Sequence, residues 1–364
     1  MQTSTASAIG EGASSTSDQR IRPKRWQGRD RHILGVSILS SLALTWLIYF
    51  RITAAQGVPG FLLGWLVALV AIYWLAVREF DGRSVARDKA LSVALAAITL
   101  GVVGALAAVI GYTALQGFRV IRLGFFIHTM QFTPPNAAAT SGGALQAIIG
   151  TLEQVGLAVL ICVPLGVLTA VFLNEVGGRH RGVVRMLVDA MSGVPSIVAG
   201  LFIYAVFIAG LHGSFSGIYA SLALSILMLP TITRTTEMVL RLVPGGLREA
   251  SFALGAPEWR TVGRVVLPTA RAGIVTAVIL GVARVVGETA PLILTSSYNT
   301  AVNLNPFSGP QSALPMFSYQ IIRTDSTFPG ALQRAWGGAC VLVFMVLLLF
   351  VGARLITTRR WANP

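Results

Sequence analysis

Two charged residues, Arg284 and Glu288, lie inside one long apolar stretch of the chain, residues 272–295. A charged side chain at the centre of a bilayer costs about 2.5–3.5 kcal/mol on the insertion scale, so charge in such a stretch calls for a reason. The two residues are four positions apart, and a continuous helix would therefore place them on one face within reach of each other. This pattern indicates either a buried structural ion pair or a transport pathway.

The chemistry of this pair suits an oxyanion. The guanidinium of Arg284 can donate two hydrogen bonds at once to phosphate or carboxylate oxygens, and it stays protonated when it is desolvated. Glu288 could hold the guanidinium while the site is empty, or it could repel an ionised anion and so help to discharge it. Pro291 removes one helical hydrogen bond, which makes the polar groups around Thr289 candidates for the lining of a pathway.

Two further places in apolar stretches carry polar side chains. The run SGVPS, which contains Ser192 and Ser196, predicts a second helix break at the start of a span. Its small and hydroxyl-bearing residues serve either the close approach of helices or the lining of a pathway. Glu153 is one more carboxylate within a span, which either pairs with Arg284 or lies near the membrane interface.

The composition is that of a polytopic membrane protein. Of the 364 residues, 54% are hydrophobic and only 12% are charged, and the mean hydropathy is +0.72, which is more apolar surface than a soluble domain can carry. The net charge of +14 is also seen in nucleic-acid-binding proteins, but nearly all the charges cluster in short segments between apolar runs. Cys162 and Cys340 lie inside apolar runs and the four histidines are scattered, so we expect neither a disulfide nor a metal site.

Eight apolar runs are each close to the roughly 20 residues that span a bilayer. They lie at residues 33–50, 58–77, 91–115, 144–173, 191–211, 218–236, 272–295 and 331–356. Before them, residues 1–19 are rich in Ser, Thr, Ala and Gly and lack the apolar core of a signal peptide, and residues 20–31 are strongly basic. We therefore expect residues 1–32 to form a disordered basic tail. The predicted fold class is an all-α polytopic membrane protein with eight spans.

The distribution of lysine and arginine predicts the orientation of these spans. With the N-terminus in the cytoplasm, 22 of the 28 basic residues fall in inside segments, five fall in outside segments, and Arg284 lies within a span. Both termini are then cytoplasmic, and so is the basic segment at residues 248–268. Two long segments, residues 116–143 and 296–330, lie outside, where they either cover the bundle or offer a docking surface to an extracytoplasmic binding protein.

The cytoplasmic segment has the pattern of two short helices joined by a turn. Leu247 and Leu254 recur at the spacing of one helical face. Gly255 occupies the position after a helix end, where the chain turns left-handed and glycine does so without a steric cost. Pro257 suits the first turn of a second helix, where its missing N–H is not needed.

This segment resembles the EAA loop of the membrane subunits of ATP-binding-cassette importers. The family pattern is Glu-Ala-Ala, three residues, Gly, nine residues, and then Ile-x-Leu-Pro. The matching residues are Glu249, Ala250, Ser251, Gly255, Val265, Leu267 and Pro268, with Ser251 in place of Ala and Val265 in place of Ile. The resemblance implies that a coupling loop, residues 238–268, docks into a groove of an ATPase subunit and passes its closure to the membrane helices.

A second resemblance is more specific. GETAPL at residues 287–292, preceded by Ala283 and Arg284, is similar to the PstA family of phosphate-specific importer permeases, and the runs SGVPSIVAGL and RTTE resemble both permease subunits of such importers. The similarity covers about residues 91–356, and it implies a six-helix type-I importer permease domain over residues 91–364 and a role for Arg284 in phosphate translocation. Residues 33–90 depart from the family, because they add two transmembrane helices before this domain.

The chain has no lysine that could belong to a P-loop. Lys24 and Lys89 are its two lysines, and Pro23 and Asp88 precede them where a P-loop requires glycine. The resemblance then implies that ATP is bound by a separate, PstB-like ATPase dimer, beside a PstC-like sister permease and a PstS-like extracytoplasmic phosphate-binding protein, in the lipid bilayer of a bacterial plasma membrane. We expect no catalytic residue and no cofactor on this chain.

Other functions stay open on the residues alone. A permease for another oxyanion such as sulfate would differ only in substrate, and the GETAPL run argues against it. A proton-coupled secondary transporter, with Glu288 or Glu153 as the proton carrier, would need no ATPase and would tolerate changes at Gly255 or Glu249. A membrane scaffold without transport activity would leave the intramembrane charges unexplained.

Overall fold

The computed structural model describes residues 28–53 and 57–359. Residues 1–27, which hold most of the tail that we predicted to be disordered, lie outside the described residues. The last part of that predicted tail is helical, because the first helix already begins at Gly28. Throughout the described ranges the regular structure is helical, as the fold class predicted from the sequence requires.

Fourteen α-helices follow one another in the described residues. They are α1 Gly28–Trp46, α2 Val58–Asp81, α3 Arg83–Phe118, α4 Leu123–Ile127, α5 Leu145–Val171, α6 Arg181–Ser192, α7 Ser196–Ile203, α8 Gly217–Arg241, α9 Gly245–Ala253, α10 Glu258–Thr261, α11 Leu267–Val285, α12 Ala290–Thr295, α13 Leu314–Asp325 and α14 Pro329–Arg359. Four π-helical turns continue some of them, at Leu47–Ile52, Phe172–Val176, Tyr204–Gly210 and Val262–Val266.

Seven of these helical stretches are long and apolar enough to cross a membrane, and a bent pair raises the number to eight. The bent pair is Arg181–Ser192 with Ser196–Gly210, which meet at 105°. The number of spans agrees with the sequence, and the helix break predicted at SGVPS is confirmed, although the second helix of the pair begins at Ser196 rather than at residue 191. Gly193 and Pro195 interrupt the helix there, because proline cannot donate the backbone hydrogen bond that a continuous helix needs.

The prediction of one continuous helix up to residue 295 is wrong, and the helix that contains the start of this run is longer than predicted on its cytoplasmic side. The helix begins in the cytoplasmic segment and runs without interruption over Glu258–Val285. It then breaks, and the short helix α12 follows. The break has a local cause, since Pro291 has no N–H to give to the carbonyl of Gly287. The lipid-spanning part of this helix is therefore shorter than its apolar run.

The chain divides into two compact units, Met1–Leu106 and Ala107–Pro364, with the boundary inside α3. In the described part of the first unit an apolar cluster joins α2 to the start of α3, through residues that include Tyr73 and Ala90. An ion cluster closes its cytoplasmic end, where the Lys89 ammonium lies 2.7 Å from Asp30 and 2.8 Å from Asp81. These two acidic residues and the lysine fix the ends of three helices to one another.

Small residues bring the central helices of the second unit together. A Cβ added to Gly166 in α5 would lie 2.8 Å from Ile232 in α8, and one added to Gly281 in α11 would also lie 2.8 Å from Ile232. Gly273 makes a similar approach to Val239. Close approach at small residues is a usual way of packing helices in a membrane, where apolar surface gains little from leaving lipid. α8 thus lies between α5 and α11 and is in close contact with both.

Candidate functional site

The helix break after α11 separates the two intramembrane charges. Arg284 is in the last turn of α11, where it is exposed, and Glu288 is half-buried in the turn that follows. The expectation that a continuous helix holds both on one face is therefore wrong. Among the described residues neither side chain has an ion pair within 4.0 Å. The structural ion pair considered from the sequence is absent at this place in the described chain.

The packing of α11 against α8 gives the level of Arg284 along the helix bundle. Gly281 in the same helix packs against Met228 and Ile232, which are about halfway along α8. At 1.5 Å per residue, Arg284 is then about one helical turn further toward the outside. The depth in the membrane that was inferred from the apolar run stays a prediction, and α11 ends at Val285, ten residues before the end of that run.

Packing between α7 and α12 brings two helix breaks together. A Cβ added to Gly200 in α7 would lie 2.6 Å from the Cα of Pro291 in α12, so the two backbones are in contact. Ser196 begins α7, four residues before Gly200, and Thr289 precedes Pro291 by two. Both side chains are half-buried and have no hydrogen bond among those of the described residues. Ser196, Thr289 and Glu288 are thus three polar side chains at the junction of two interrupted helices.

Ser192, predicted with this group, is used locally. Its hydroxyl donates a 2.6 Å hydrogen bond to the carbonyl of Asp189 at the end of α6. α6 runs at 105° to the stretch that starts at Ser196. The side chain of Ser192 thus caps the bent helix, whereas Ser196 belongs to the junction.

Glu153 has a partner other than Arg284. Its carboxylate accepts a hydrogen bond from the side chain of Gln311, which is 1% exposed. Gln154, the next residue of α5, donates to the backbone carbonyl of Gln311 at 3.1 Å and to its side-chain oxygen at 3.2 Å. The pairing with Arg284 considered from the sequence is wrong, because Glu153 holds the segment 296–313 against the outer half of α5.

The outer segments are ordered more extensively than covering loops would be. Residues 296–330 contain the helix α13, whose Leu314 and Phe317 are fully buried. Arg334 of α14 is also fully buried and donates to the carbonyls of Ala137 and Ala138 at 3.0 and 2.9 Å. Desolvation raises the pKa of Tyr298 in this region to about 12, so its phenol stays neutral at physiological pH.

Exposed apolar side chains lie on these outer segments. Phe132 is 89% exposed, and Leu304 and Phe307 are each 68% exposed. Large apolar side chains outside the predicted membrane spans are unfavourable in water and are typical of interaction surfaces. The sequence pointed to the two outer segments but not to these residues.

The cytoplasmic loop has the predicted turn but a different second helix. Gly255 has φ +77°, so the left-handed turn predicted at this position is confirmed. Pro257 directly precedes the next helix, α10. That helix is not short, since it continues through the π turn Val262–Val266 into α11. A movement of α10 would therefore be transmitted directly along a helix whose last turn contains Arg284.

The residues of the EAA-like pattern fall into two groups. Glu249, Ala250, Gly255 and Pro268 are exposed. Ser251 is half-buried and its hydroxyl hydrogen-bonds that of Thr261 at 2.8 Å, which joins α9 to α10. Leu267 packs against the buried cluster around Val266. The first group is available to a partner, and the second holds the loop in shape.

Three exposed apolar side chains surround the turn at Gly255. Leu254 is 88% exposed, Trp259 69% and Phe252 49%. These three residues were not predicted as a surface from the sequence, although their position on either side of a glycine turn was a usable signal. A patch of this kind in a cytoplasmic segment is typical of a protein–protein contact.

An arginine cluster lies where α6 meets the cytoplasmic end of α8. Glu237 is 3% exposed at its side chain and accepts from Arg185 and Arg241, each at 2.5 Å. Arg234 is paired with Asp189 and lies 3.4 Å from Glu237. The RTTE run noted in the sequence thus supplies both a carboxylate and one of its arginines.

Within the described ranges, no group of three or more His, Cys, Asp or Glu side chains has a geometry that could hold a metal ion.

Known proteins similar to this chain are membrane components of transport systems. Residues 162–360 match the family "Binding-protein-dependent transport system inner membrane component". The chain is 44% identical over 253 residues to "Phosphate transport system permease protein PstA 1" of Mycobacterium tuberculosis, covering 68% of this chain and 80% of that protein. It is 42% identical over 247 residues to the PstA protein of Mycobacterium leprae, covering 67% and 80%. It is 40% identical over 216 residues to the PstA protein of Pasteurella multocida, and the match covers 59% of this chain and 76% of that protein.

Proposed function

We propose a function from one premise: the chain belongs to the family of binding-protein-dependent transport system inner membrane components and, within it, to the PstA phosphate transport permeases. It is a multi-pass inner membrane protein and the permease subunit of an ATP-driven importer of inorganic phosphate. It forms half of the translocation pathway, and a sister permease forms the other half. The relatives give no support to the alternatives, a sulfate permease or a proton-coupled transporter.

The position of Arg284 is the observation that carries this proposal. It is exposed on the isolated chain and has no ion-pair partner among the described residues, and the predicted topology puts it inside the membrane. Against lipid it would cost about 2.5–3.5 kcal/mol. Against a sister subunit across a hydrated pathway the cost falls, and the guanidinium can give two parallel hydrogen bonds to an oxyanion. We therefore assign Arg284 to the phosphate pathway.

Glu288, Thr289 and Ser196 complete the pathway site that we propose. The hydroxyls of Thr289 and Ser196 can donate to phosphate oxygens at the junction of the two interrupted helices. Glu288 has no ion pair with Arg284, which favours the second role considered for it, repulsion of an ionised anion. Attraction by Arg284 would let an anion enter the site, and repulsion by Glu288 would keep its binding weak enough for the anion to leave.

Coupling to ATP is assigned to the cytoplasmic loop, residues 238–268. The exposed Glu249 and the apolar patch of Phe252, Leu254 and Trp259 form a surface with a charge and a hydrophobic anchor, as is usual at the centre of a protein interface. We propose that a dimer of separate ATPase subunits binds ATP and grips this surface. The chain itself hydrolyses no ATP through a P-loop, because it has no lysine in that motif.

The outer surface is assigned to the binding protein that delivers phosphate. Phe132, Leu304 and Phe307 provide exposed apolar contacts on segments held firmly to the bundle. Rigid segments lose little conformational entropy on binding, which favours a docking role. The permease domain that we propose, residues 91–364, thus carries one surface for each partner.

Phosphate uptake into right-side-out vesicles distinguishes this function from its rivals. We expect uptake of labelled phosphate to need internal ATP and the ATPase subunit, to survive a protonophore that collapses the proton gradient, and to be unaffected by excess sulfate. Uptake that a protonophore abolishes while ATP is maintained would support the proton-coupled transporter instead. Competition by sulfate at equal concentration would remove the claim of phosphate specificity.

A further inference from the structure

The coupling helix α9 makes little apolar contact with the membrane helices. None of its residues, Gly245–Ala253, is buried. A buried cluster does join the cytoplasmic ends of the core helices, through Ala170, Leu240, Val243, Val266 and Ala270. No member of this cluster lies in α9. Apolar packing therefore does not explain how a movement of α9 would reach the core helices.

The Ser251–Thr261 hydrogen bond links α9 to α10 and so to α11, whereas Arg248 of α9 makes the connection to α5 and α8. Its Nε and Nη2 donate to the two carboxylate oxygens of Glu175 at 3.0 and 2.7 Å. Nη1 donates to the carbonyl of Val243 at 2.8 Å, and Nη2 also donates to that of Leu240 at 3.0 Å. All three guanidinium nitrogens are thus engaged, in the bidentate geometry that is the strongest for such pairs.

The partners of Arg248 belong to two different core helices. Leu240 is in the last turn of α8, and Val243 lies two residues past the end of that helix at Arg241. Glu175 lies in the π turn Phe172–Val176 that ends α5, and Asn174 donates to its carboxylate at 2.6 Å. One guanidinium therefore joins α9 to the cytoplasmic ends of both α5 and α8.

The Arg248–Glu175 pair is shielded from water. The side chains are 20% and 8% exposed, respectively. Exposed ion pairs contribute little because solvent screens them and their side chains are free to move. A shielded bidentate pair with two further carbonyl acceptors is fixed in one geometry. This is the property that a mechanical connection requires.

Movement of α5 and α8 would reach the pathway. Ile232 of α8 is in close contact with Gly166 of α5 and with Gly281 of α11, one turn before Arg284. Packed helices move as bodies because interiors of this density deform little. Without Arg248, the loop would still be continuous with α11, but α5 and α8 would follow only through side-to-side packing.

We propose that Arg248 is a positioning residue that couples α9 to α5 and α8, so that the loop moves the core helices as one body. The proposal rests on the proposed function in one respect, that an ATPase subunit moves the loop. Glu175 is the matching residue on the side of α5. Neither residue is assigned contact with phosphate or with ATP.

The test measures a distance between α9 and α5 in the assembled transporter. Spin labels are attached to cysteines at Ala253 in α9 and Leu160 in α5, both exposed, while the native cysteines are buried. The interspin distance is recorded in the complete complex before and after closure of the ATPase with ATP and vanadate, without phosphate import. In the otherwise native protein we expect the interspin distance to be the same before and after closure. In Arg248→Lys and Glu175→Gln we expect closure to change this distance by several ångströms, on the order of one helical turn or less. Arg264→Lys, at an exposed loop arginine, is the matched control and should behave as native.

Two results of this measurement would overturn the proposal. One is a distance in the native protein that changes on closure as much as in the variants. The other is a distance that stays constant in Arg248→Lys and Glu175→Gln. Because the closure needs no imported anion, a failure of phosphate uptake by the native complex would count against the proposed function and leave these distances readable.

Transport stoichiometry gives a second, independent readout. In proteoliposomes we expect Arg248→Lys to retain the ATPase subunit and its hydrolysis but to import about tenfold less phosphate per ATP, within the usual range of coupling between two sites. Loss of the ATPase subunit from the purified variant complex would contradict the proposal, since Arg248 would then only shape the docking surface.

Discussion

Replacement of Gly255 by alanine tests the turn on which the coupling loop depends. The backbone at Gly255 has φ +77°, and no heavy atom lies within 4 Å of a Cβ added there. The change therefore causes no clash, and its whole cost is the left-handed conformation, about 1–2 kcal/mol for an L-residue with a Cβ. The unbound loop can relax to another turn, but the docked loop cannot. The cost should then appear as an affinity for the ATPase subunit lowered about 5–30-fold.

The assay is titration of the purified ATPase subunit against permease complexes that carry single substitutions. Gly263→Ala is the matched control, because a Cβ there also meets nothing within 4 Å while its φ lies outside the left-handed region. We expect Gly263→Ala to bind as the native complex does. Gly255→Asn should fall between native and Gly255→Ala, since asparagine tolerates the left-handed region better than alanine. Native affinity in Gly255→Ala, or an equal loss in Gly263→Ala, would refute the reasoning.

The remaining predictions concern the outer half of the protein. Gly150→Ala would put a Cβ 1.9 Å from the carbonyl oxygen of Ser312, so we expect this change to displace residues 296–313. A protease added from outside should then cleave this segment. Gly156→Ala is the control, because a Cβ there meets no atom within 4 Å, and this variant should stay resistant. Arg334→Gln removes a fully buried guanidinium that binds backbone carbonyls of residues 134–138. Unpaired buried carbonyls cost about 1–3 kcal/mol, so the thermal midpoint of unfolding in detergent should fall in Arg334→Gln. Arg323→Gln, at an exposed outer position, is the control and should leave the midpoint unchanged. Equal midpoints in Arg334→Gln and the native protein would contradict the anchoring role.

The topology was predictable because the physics that sets it is local and strong. Each span needs about 20 apolar residues, and the basic residues between spans report their orientation. The turn at Gly255 was predictable for a similar reason, since a glycine after a helical face and before a proline leaves few other conformations. The candidate docking residues Glu249 and Ala250 are exposed, as such a role requires.

The ends of the helix that carries Arg284 were not predictable from its apolar run. Hydropathy does not distinguish Glu258–Val285 from residues 272–295, because the break depends on Pro291 and on its contact with Gly200, which is far away in sequence. The spacing of Arg284 and Glu288 therefore gave a false pairing. A proline three residues after a charged pair was a local signal that the helix would end within it.

Pairings between distant residues left no local signal at all. Arg248 and Glu175 are 73 positions apart, and Glu153 and Gln311 are 158 apart. Each of these side chains looked like an isolated charge or amide in the sequence. Their contacts follow from the packing of α5 against α8 and against residues 296–313, which only the folded chain defines.

Arg284→Gln is the change that tests the central claim most directly, because glutamine keeps much of the length and removes the charge. The measurement is uptake of labelled phosphate at limiting concentration, with sulfate as competitor, in cells that contain equal membrane levels of native, Arg284→Gln or Arg323→Gln protein. We predict that Arg284→Gln reduces uptake to background, that Arg323→Gln does not, and that sulfate leaves native uptake unchanged. Uptake that survives in Arg284→Gln would contradict the assignment of Arg284 to the phosphate pathway.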